Sequence, residues 1–223
     1  KTKDIGRILV GFSVLFTGMM MMGESVEPLK DSPSFSHILT AFNNPLVGVL
    51  AGAVITAVIQ SSAASIGILQ SLSITGHITY GMAIPIIMGQ NIGTCVTALI
   101  SSIGVNRSAR RVAVIHIAFN CIGTIILLPI LYLVNAFVDF AFMDWTISYA
   151  GIALVHTIFN MVVTFLLLPF SKLLEKLAYL VIKQLPEETQ KEQLILPGEI
   201  LLNTPAVAIE ACRTSVNDMA RLA

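Results

Sequence analysis

The stretch QSSAASIGILQ, Gln60 to Gln70, sets an amide and two hydroxyls side by side inside a segment that is otherwise fit for lipid. From Ser32 to Asn106 there are 75 consecutive residues without an Asp, Glu, Lys or Arg. A second polar knot, GQNIGTCVTA from Gly89 to Ala98, lies further along the same uncharged run. Hydrocarbon offers no hydrogen bonds, so a polar cluster at membrane depth must be buried in protein or line a wet cavity. How the chain turns at Gln60–Ser62 therefore decides the fold.

Working outward, the composition agrees with a lipid setting. The 223 residues are 55% hydrophobic and 12% charged, with a mean hydropathy of +0.84. A soluble domain carries about 25% charged residues. Val112–Val138 and Trp145–Ser171 are two more charge-free runs, of 27 residues each, and about 20 apolar residues suffice for one helical crossing. The chain reads as an all-α integral membrane protein. Its formal net charge of +0 gives no electrostatic footprint for nucleic acid. Cys95, Cys121 and Cys212 are odd in number and scattered, which suits neither a disulfide framework nor a zinc site. No organic cofactor is expected. The first residue is Lys1, and no signal-peptide pattern precedes the first apolar run, so the sequence reads as a piece of something longer.

The charges that remain set the topology. Lys1, Lys3 and Arg7 precede the first apolar run, Arg107, Arg110 and Arg111 form a second basic group, and Lys172, Lys176 and Lys183 a third. Positive charge marks cytoplasmic loops, which puts the N-terminus and the C-terminal region inside. The loops bearing Glu24, Glu27 and Asp31, and Asp139 and Asp144, then fall outside. Between residues 45 and 105 the chain must cross an odd number of times, yet two apolar segments lie there. One of them must enter and return. Leu46–Ser73 is the better candidate, because its two apolar arms are short and flank Gln60–Ser62. The following span, Tyr80–Gly104, contains Pro85, Gly89 and Gly93 and is expected to be a discontinuous helix broken at Gly89–Gly93.

These knots suit ions. A half-helix N-terminus favours an anion, and freed carbonyls favour sodium. Ser61 and Ser62 would open the second arm of the hairpin with hydroxyls and backbone N–H groups. Gln60 and Asn91 each carry both an acceptor and a donor, and Thr94 adds a hydroxyl. With no Arg or Lys nearby, a bound anion needs a co-bound cation, and neutral hard oxygens suit an alkali ion better than calcium or magnesium. The competing interpretation is packing, for which Ser, Thr and Asn are common, and Gly48–Gly52 is a routine G-x-x-x-G pair. HIAFN at His116–Asn120 and HTIFN at His156–Asn160 each place His and Asn on one helix face. They are expected to be polar helix-packing residues, on two matched helices that hydrogen-bond in equivalent positions.

IQSSAASIGILQ followed by IPIIMGQNIGTCVTALISSIGVNRSARRVAVIHIAFN resembles the sodium/phosphate cotransporter family, whose members carry a Q-S-S-[SA] and a G-x-N-I-G-T signature in each of two inverted halves. The likeness covers most of residues 4 to 183. It implies phosphate bound by Gln60, Ser61, Ser62, Asn91, Gly93 and Thr94, and sodium, the coupling ion, bound by Gln60, Ser62, Asn91 and Thr94. It implies alternating access around a midplane site. One copy of each signature makes the chain similar to the second half of an inverted-repeat transporter, expected to pair with a first half or a second copy. Ala63 stands where many members have a third Ser, and Cys95 where many have a second Thr.

The resulting organisation is a transporter repeat at 1–184, a charged linker at 185–198, and at 199–223 an amphipathic segment resembling the start of a PhoU-like domain. A multi-pass location in the cell inner membrane is expected, with the N-terminus and C-terminal domain cytoplasmic. Three alternatives compete. A serine protease would need a base beside Ser61 or Ser62, but no G-x-S-x-G elbow surrounds them, so no enzyme is expected. A membrane-anchored phosphate sensor would have little use for two buried polar knots. A sodium-coupled carrier of another small anion would use the same donors.

Overall fold

The computed structural model describes residues 2–183, together with Arg213 and Asn217. The linker expected at 185–198 and nearly all of the segment at 199–223 expected to resemble a PhoU-like domain lie outside the described residues. Eight α-helices are named here in chain order: α1 Thr2–Val26, α2 Pro33–Leu39, α3 Pro45–Ile59, α4 Ser62–Ser73, α5 Tyr80–Ser101, α6 Arg107–Val138, α7 Tyr149–Leu167 and α8 Ser171–Val181. Among the described residues there is no strand, only an isolated antiparallel bridge between Thr79 and Thr146. Short polar side chains start most of the helices. Ser32, Asn44, Ser61, Thr79, Asn106 and Ser148 each accept a bond from an N–H in the first turn that follows, meeting the donors a helix leaves open at its N-terminus.

Four stretches are long and apolar enough to cross a bilayer: Lys3–Leu29, Tyr80–Ser101, Arg107–Val138 and Tyr149–Val181. The multi-pass, all-α membrane architecture read from the sequence is therefore the observed one. α3 and α4 differ from these four. At 1.5 Å per residue their 15 and 12 residues reach only about 22 and 18 Å, short of a hydrocarbon core of about 30 Å.

They form the expected helical hairpin, and side-chain registers show that it returns. On α3 Val49 lies against Gly89 of α5, and four residues on Ala53 lies against Gly93. α3 and α5 thus run parallel, so α4 between them must come back. The turn is made by Gln60, in the left-handed region at φ 57°, and by Ser61, which is extended. Across the turn Thr56 Oγ1 donates to Ser65 Oγ at 2.7 Å.

The break expected at Gly89–Gly93 does not occur. α5 runs unbroken from Tyr80 to Ser101, and the discontinuity of this region falls at Gln60–Ser61 instead. Close packing accounts for the glycines. A Cβ on Gly89 would run into the Val49 carbonyl oxygen, one on Gly93 into that of Ala53, and one on Gly52 into that of Ile86. Two small-residue faces, Gly48–Gly52 and Gly89–Gly93, let the two backbones touch. Pro85 is tolerated for a separate reason. Its missing N–H would have bonded Gly81 O, and that carbonyl instead accepts from Tyr132 Oη of α6 at 3.1 Å.

The core gathers around α5, which is buried continuously from Met82 to Asn91. Ile78, Ile87 and Ile152 pack on its hairpin side, and Met88, Phe159 and Val163 on its α6–α7 side. At one end Tyr80 N donates to Trp145 O at 3.0 Å and Ile147 N to Ile78 O at 2.9 Å, joining the starts of α5 and α7. At the other end Arg111 Nε donates to Ile182 O at 3.1 Å, and its guanidinium lies 4.5 Å from the Tyr179 ring centre.

Candidate functional site

A cavity of about 250 Å³ opens where the tip of the hairpin meets α5, α6 and α7. Its wall takes Ser62 from α4, Asn91 and Thr94 from α5, His116, Phe119 and Asn120 from α6, and His156 and Asn160 from α7. No Asp, Glu, Lys or Arg lines it. Larger grooves of about 710 and 510 Å³ lie elsewhere on α5–α8, but aliphatic and aromatic side chains wall them almost entirely and offer an ion next to nothing.

Each wall residue is held by its helix. Ser61 caps α4 by accepting from Ala64 N at 3.2 Å, which leaves Ser62 as the first helical residue with its hydroxyl at the cavity. The open N–H groups of α4's first turn lie beside it. Asn91 is the twelfth residue of α5, roughly 17 Å along a helix of roughly 33 Å, so the cavity sits near the middle of that helix. Thr94 Oγ1 donates to Gln90 O at 2.9 Å. Cys95 lies beneath, its Sγ 3.5 Å from Asn91 O and 3.6 Å from His116 O, and it accepts from Asn120 Nδ2 at 3.3 Å.

Of the phosphate residues expected from the sequence, the structure brings Ser62, Asn91 and Thr94 together. Gln60 and Ser61 form the turn beside them. Gln60 is exposed and its N–H donates to Thr56 O at 2.7 Å. Gly93 lies on the α3 side of α5, where the space a side chain would need is filled by Ala53 and Thr56. Its part is to let the hairpin approach.

The two His–Asn pairs bond in equivalent positions on α6 and α7. Asn120 Nδ2 donates to His116 O at 3.0 Å and Asn160 Nδ2 to His156 O at 2.8 Å, so the bonds run within each helix and not between the two. The carbonyl four residues back is always within reach of a helical side chain, whereas the α6–α7 contact is made elsewhere, by Gly123 against Val163. All four residues face the cavity.

A cluster that the sequence reading missed lies beside the cavity, one turn before Thr94 on α5. Gln90 Nε2 donates to Ser65 O at 3.0 Å and to Ser65 Oγ at 2.9 Å, and Thr56 Oγ1 donates to the same hydroxyl. Thr56, Ser65 and Gln90 are 0%, 1% and 3% exposed, and Gln90 Oε1 has no partner. The available signal was spacing: Ser61 and Ser65, and Gln90 and Thr94, are i, i+4 pairs on the two elements already singled out.

With this geometry in place, the comparisons with known proteins are specific. The profile described as Na+/Pi-cotransporter matches residues 15–152. Protein YqeW of Bacillus subtilis (strain 168) is 31% identical over 61% of this chain and 45% of its own length. The human sodium-dependent phosphate transport protein 2B is 34% identical over 57% of this chain and 20% of its own. The provisionally named inorganic phosphate export protein YjbB of Escherichia coli (strain K12) is 25% identical over 58% and 24%. The chain spans less than half the length of these curated relatives. No solved structure matches it.

Proposed function

The chain belongs to the Na+/Pi-cotransporter family, and from that premise we propose that it forms one repeat half of a sodium-coupled inorganic phosphate transporter working by alternating access. The observation that carries this reading is the polar cavity at mid-depth, where Ser62 at the start of α4 meets Asn91 and Thr94. Phosphate is held at the hairpin tip by Gln60, Ser61 and Ser62, with Asn91 and Thr94 opposite and Gly93 permitting the approach. Sodium shares Gln60, Ser62, Asn91 and Thr94. The wall carries no fixed charge, so the co-bound cation offsets the anion's charge in a low-dielectric site.

Phosphate is favoured over another small anion because the names of two relatives, a transport protein and an export protein, share that substrate. The short arms of α3 and α4 suit a half-site that a first half of the transporter, or a second copy, completes across the cavity mouth. Basic residues at the starts of α1 and α6 and along α8 support a cell inner-membrane orientation with these ends cytoplasmic.

The test is uptake of radiolabelled phosphate into proteoliposomes containing the full-length protein, with an inward sodium gradient against a choline control. Sodium-dependent uptake that Gln60→Ala abolishes is the expected result. Uptake of a different anion alone would change the substrate, and sealed liposomes that take up no anion at all would end the reading.

A further inference from the structure

Three hydrogen bonds that can run in only one direction fix which end of each cavity asparagine meets a ligand. The carbonyl oxygens of Ile87, His116 and His156 can only accept, so each must face an amide nitrogen and not an amide oxygen. Asn91 Nδ2 lies 2.9 Å from Ile87 O, Asn120 Nδ2 3.0 Å from His116 O and Asn160 Nδ2 2.8 Å from His156 O. An amide is planar, with oxygen and nitrogen on opposite branches. Engaging the nitrogen with the helix's own backbone therefore leaves Oδ1 as the end available to the cavity. No protein donor among the described residues engages any of the three Oδ1 atoms. Thr94 behaves alike, because its hydroxyl hydrogen goes to Gln90 O and leaves lone pairs.

One oxygen acceptor thus comes from each of α5, α6 and α7 around a single cavity, with the Thr94 hydroxyl beside them. One N–H of each amide and the Thr94 hydroxyl hydrogen are engaged by the helix's own backbone, and a cation finds oxygen from three directions. The oxygens are neutral and hard, and no carboxylate lines the wall, which suits a monovalent alkali ion over calcium or magnesium. Among the described residues no cluster of three or more His, Cys, Asp or Glu offers a site to a transition metal. Ser62 and the first turn of α4 supply hydroxyl and backbone N–H donors, and the His116 and His156 rings share the wall with the asparagine oxygens.

We propose that Asn120 of α6 and Asn160 of α7 join Asn91 in an amide-oxygen seat for the coupling cation, opposite an anion subsite at the start of α4. The proposal rests on the transport reading above and adds α7 to the binding machinery. It also divides the cavity into a cation side and an anion side, which the sequence motifs alone treat as one.

The test reads sodium and phosphate separately. Phosphate uptake by the full-length protein in proteoliposomes is measured against external sodium, with choline as replacement, for the wild type, Asn120→Ala, Asn160→Ala and Thr157→Ala. Both asparagine variants are expected to raise half-activating sodium roughly tenfold or more, while phosphate KM at saturating sodium stays within about twofold. Thr157, whose hydroxyl donates to Ala153 O of its own helix outside the cavity, keeps the wild-type curve on replacement. Should an Ala variant not reach the membrane, Asn160→Ser retains a hydroxyl for the His156 carbonyl and is read by the same shift. An unmoved sodium curve, or a raised phosphate KM beside an unmoved sodium curve, overturns the seat while leaving sodium-coupled transport standing. A wild type indifferent to sodium removes the transport reading, and the seat with it.

Discussion

Gly89→Ala tests whether α3 and α5 are held at backbone contact. The added Cβ would lie 2.7 Å from the carbonyl carbon of Val49 and 2.8 Å from its Cα, besides overlapping the carbonyl oxygen. All three are backbone atoms, so no side chain can swing aside. Restoring an ordinary carbon–carbon separation of about 3.5–4.0 Å requires the helices to part by roughly 1 Å, which forfeits a quarter to a half of each facing contact's attraction. Overpacking of this kind costs about 1–3 kcal/mol, and at this chain length each kcal/mol corresponds to about 2–4 °C in Tm. The same substitution at Gly11 of α1, where nothing lies within 4 Å, removes a poor helix former and is expected to leave Tm unchanged or slightly raised. Thermal unfolding of the two purified variants in detergent, followed by loss of the monodisperse chromatographic peak, measures the difference. Equal Tm values for Gly89→Ala and Gly11→Ala would refute the packing argument and return Gly89 to the role of a helix breaker.

Ser62→Ala is expected to raise the KM for phosphate uptake roughly tenfold, the loss of one hydrogen bond to a charged group, while Ser101→Ala, at the exposed end of α5, leaves it unchanged; equal effects would count against the cavity. Thr56→Val removes the donor to Ser65 without changing shape, and should lower Tm by about 2–4 °C, the equivalent of roughly 1 kcal/mol. Thr17→Val, whose hydroxyl is exposed on α1, should not lower it, and a shared shift would show that the buried bond contributes nothing. Gln60→Gly relieves a left-handed φ that costs a non-glycine residue about 1–2 kcal/mol, and is expected to leave stability unchanged or raised while abolishing uptake. Retained uptake would mean that the turn needs Gln60's backbone and not its amide.

The hairpin was legible because two independent signals met at one place. The positive-inside pattern demanded an odd number of crossings, and Gln60–Ser62 marked where a short segment could turn. Ser61 as a cap was legible from its residue type and position. The course of α5 was not, because glycine and proline in a membrane helix either break it or let another backbone approach. Only the partner decides between the two. Gly48–Gly52 was visible as a packing pair, but nothing in the sequence says that it faces Gly89–Gly93, or that Tyr132 reaches the carbonyl left open by Pro85. The His–Asn pairs show the same limit. Their spacing put both residues on one face of each helix, but a helix period cannot say what that face looks at. The structure turns both faces to one cavity, and besides the bond within its own helix Asn120 reaches Cys95 of α5.

An uncharged wall makes the two ions dependent on each other, and the size of that dependence can be worked out. In the proposed reading a cation among the asparagine oxygens and an anion at the start of α4 share a cavity of about 250 Å³, which allows them to lie roughly 4–6 Å apart. At an effective dielectric constant of 20, opposite unit charges at 4 Å attract by about 4 kcal/mol, and by somewhat less at the longer distance. With each 1.4 kcal/mol worth tenfold, saturating sodium is expected to tighten phosphate binding by roughly a hundredfold or more. The coupling is reciprocal, so saturating phosphate must tighten sodium binding by the same factor. Calorimetric titration of the full-length protein in detergent measures both affinities, each with and without the other ion. Equal factors of the expected size would place both ions in one neutral cavity. Equal factors near one would mean that the ions bind too far apart to share it, and the division of the cavity into cation and anion sides would fall.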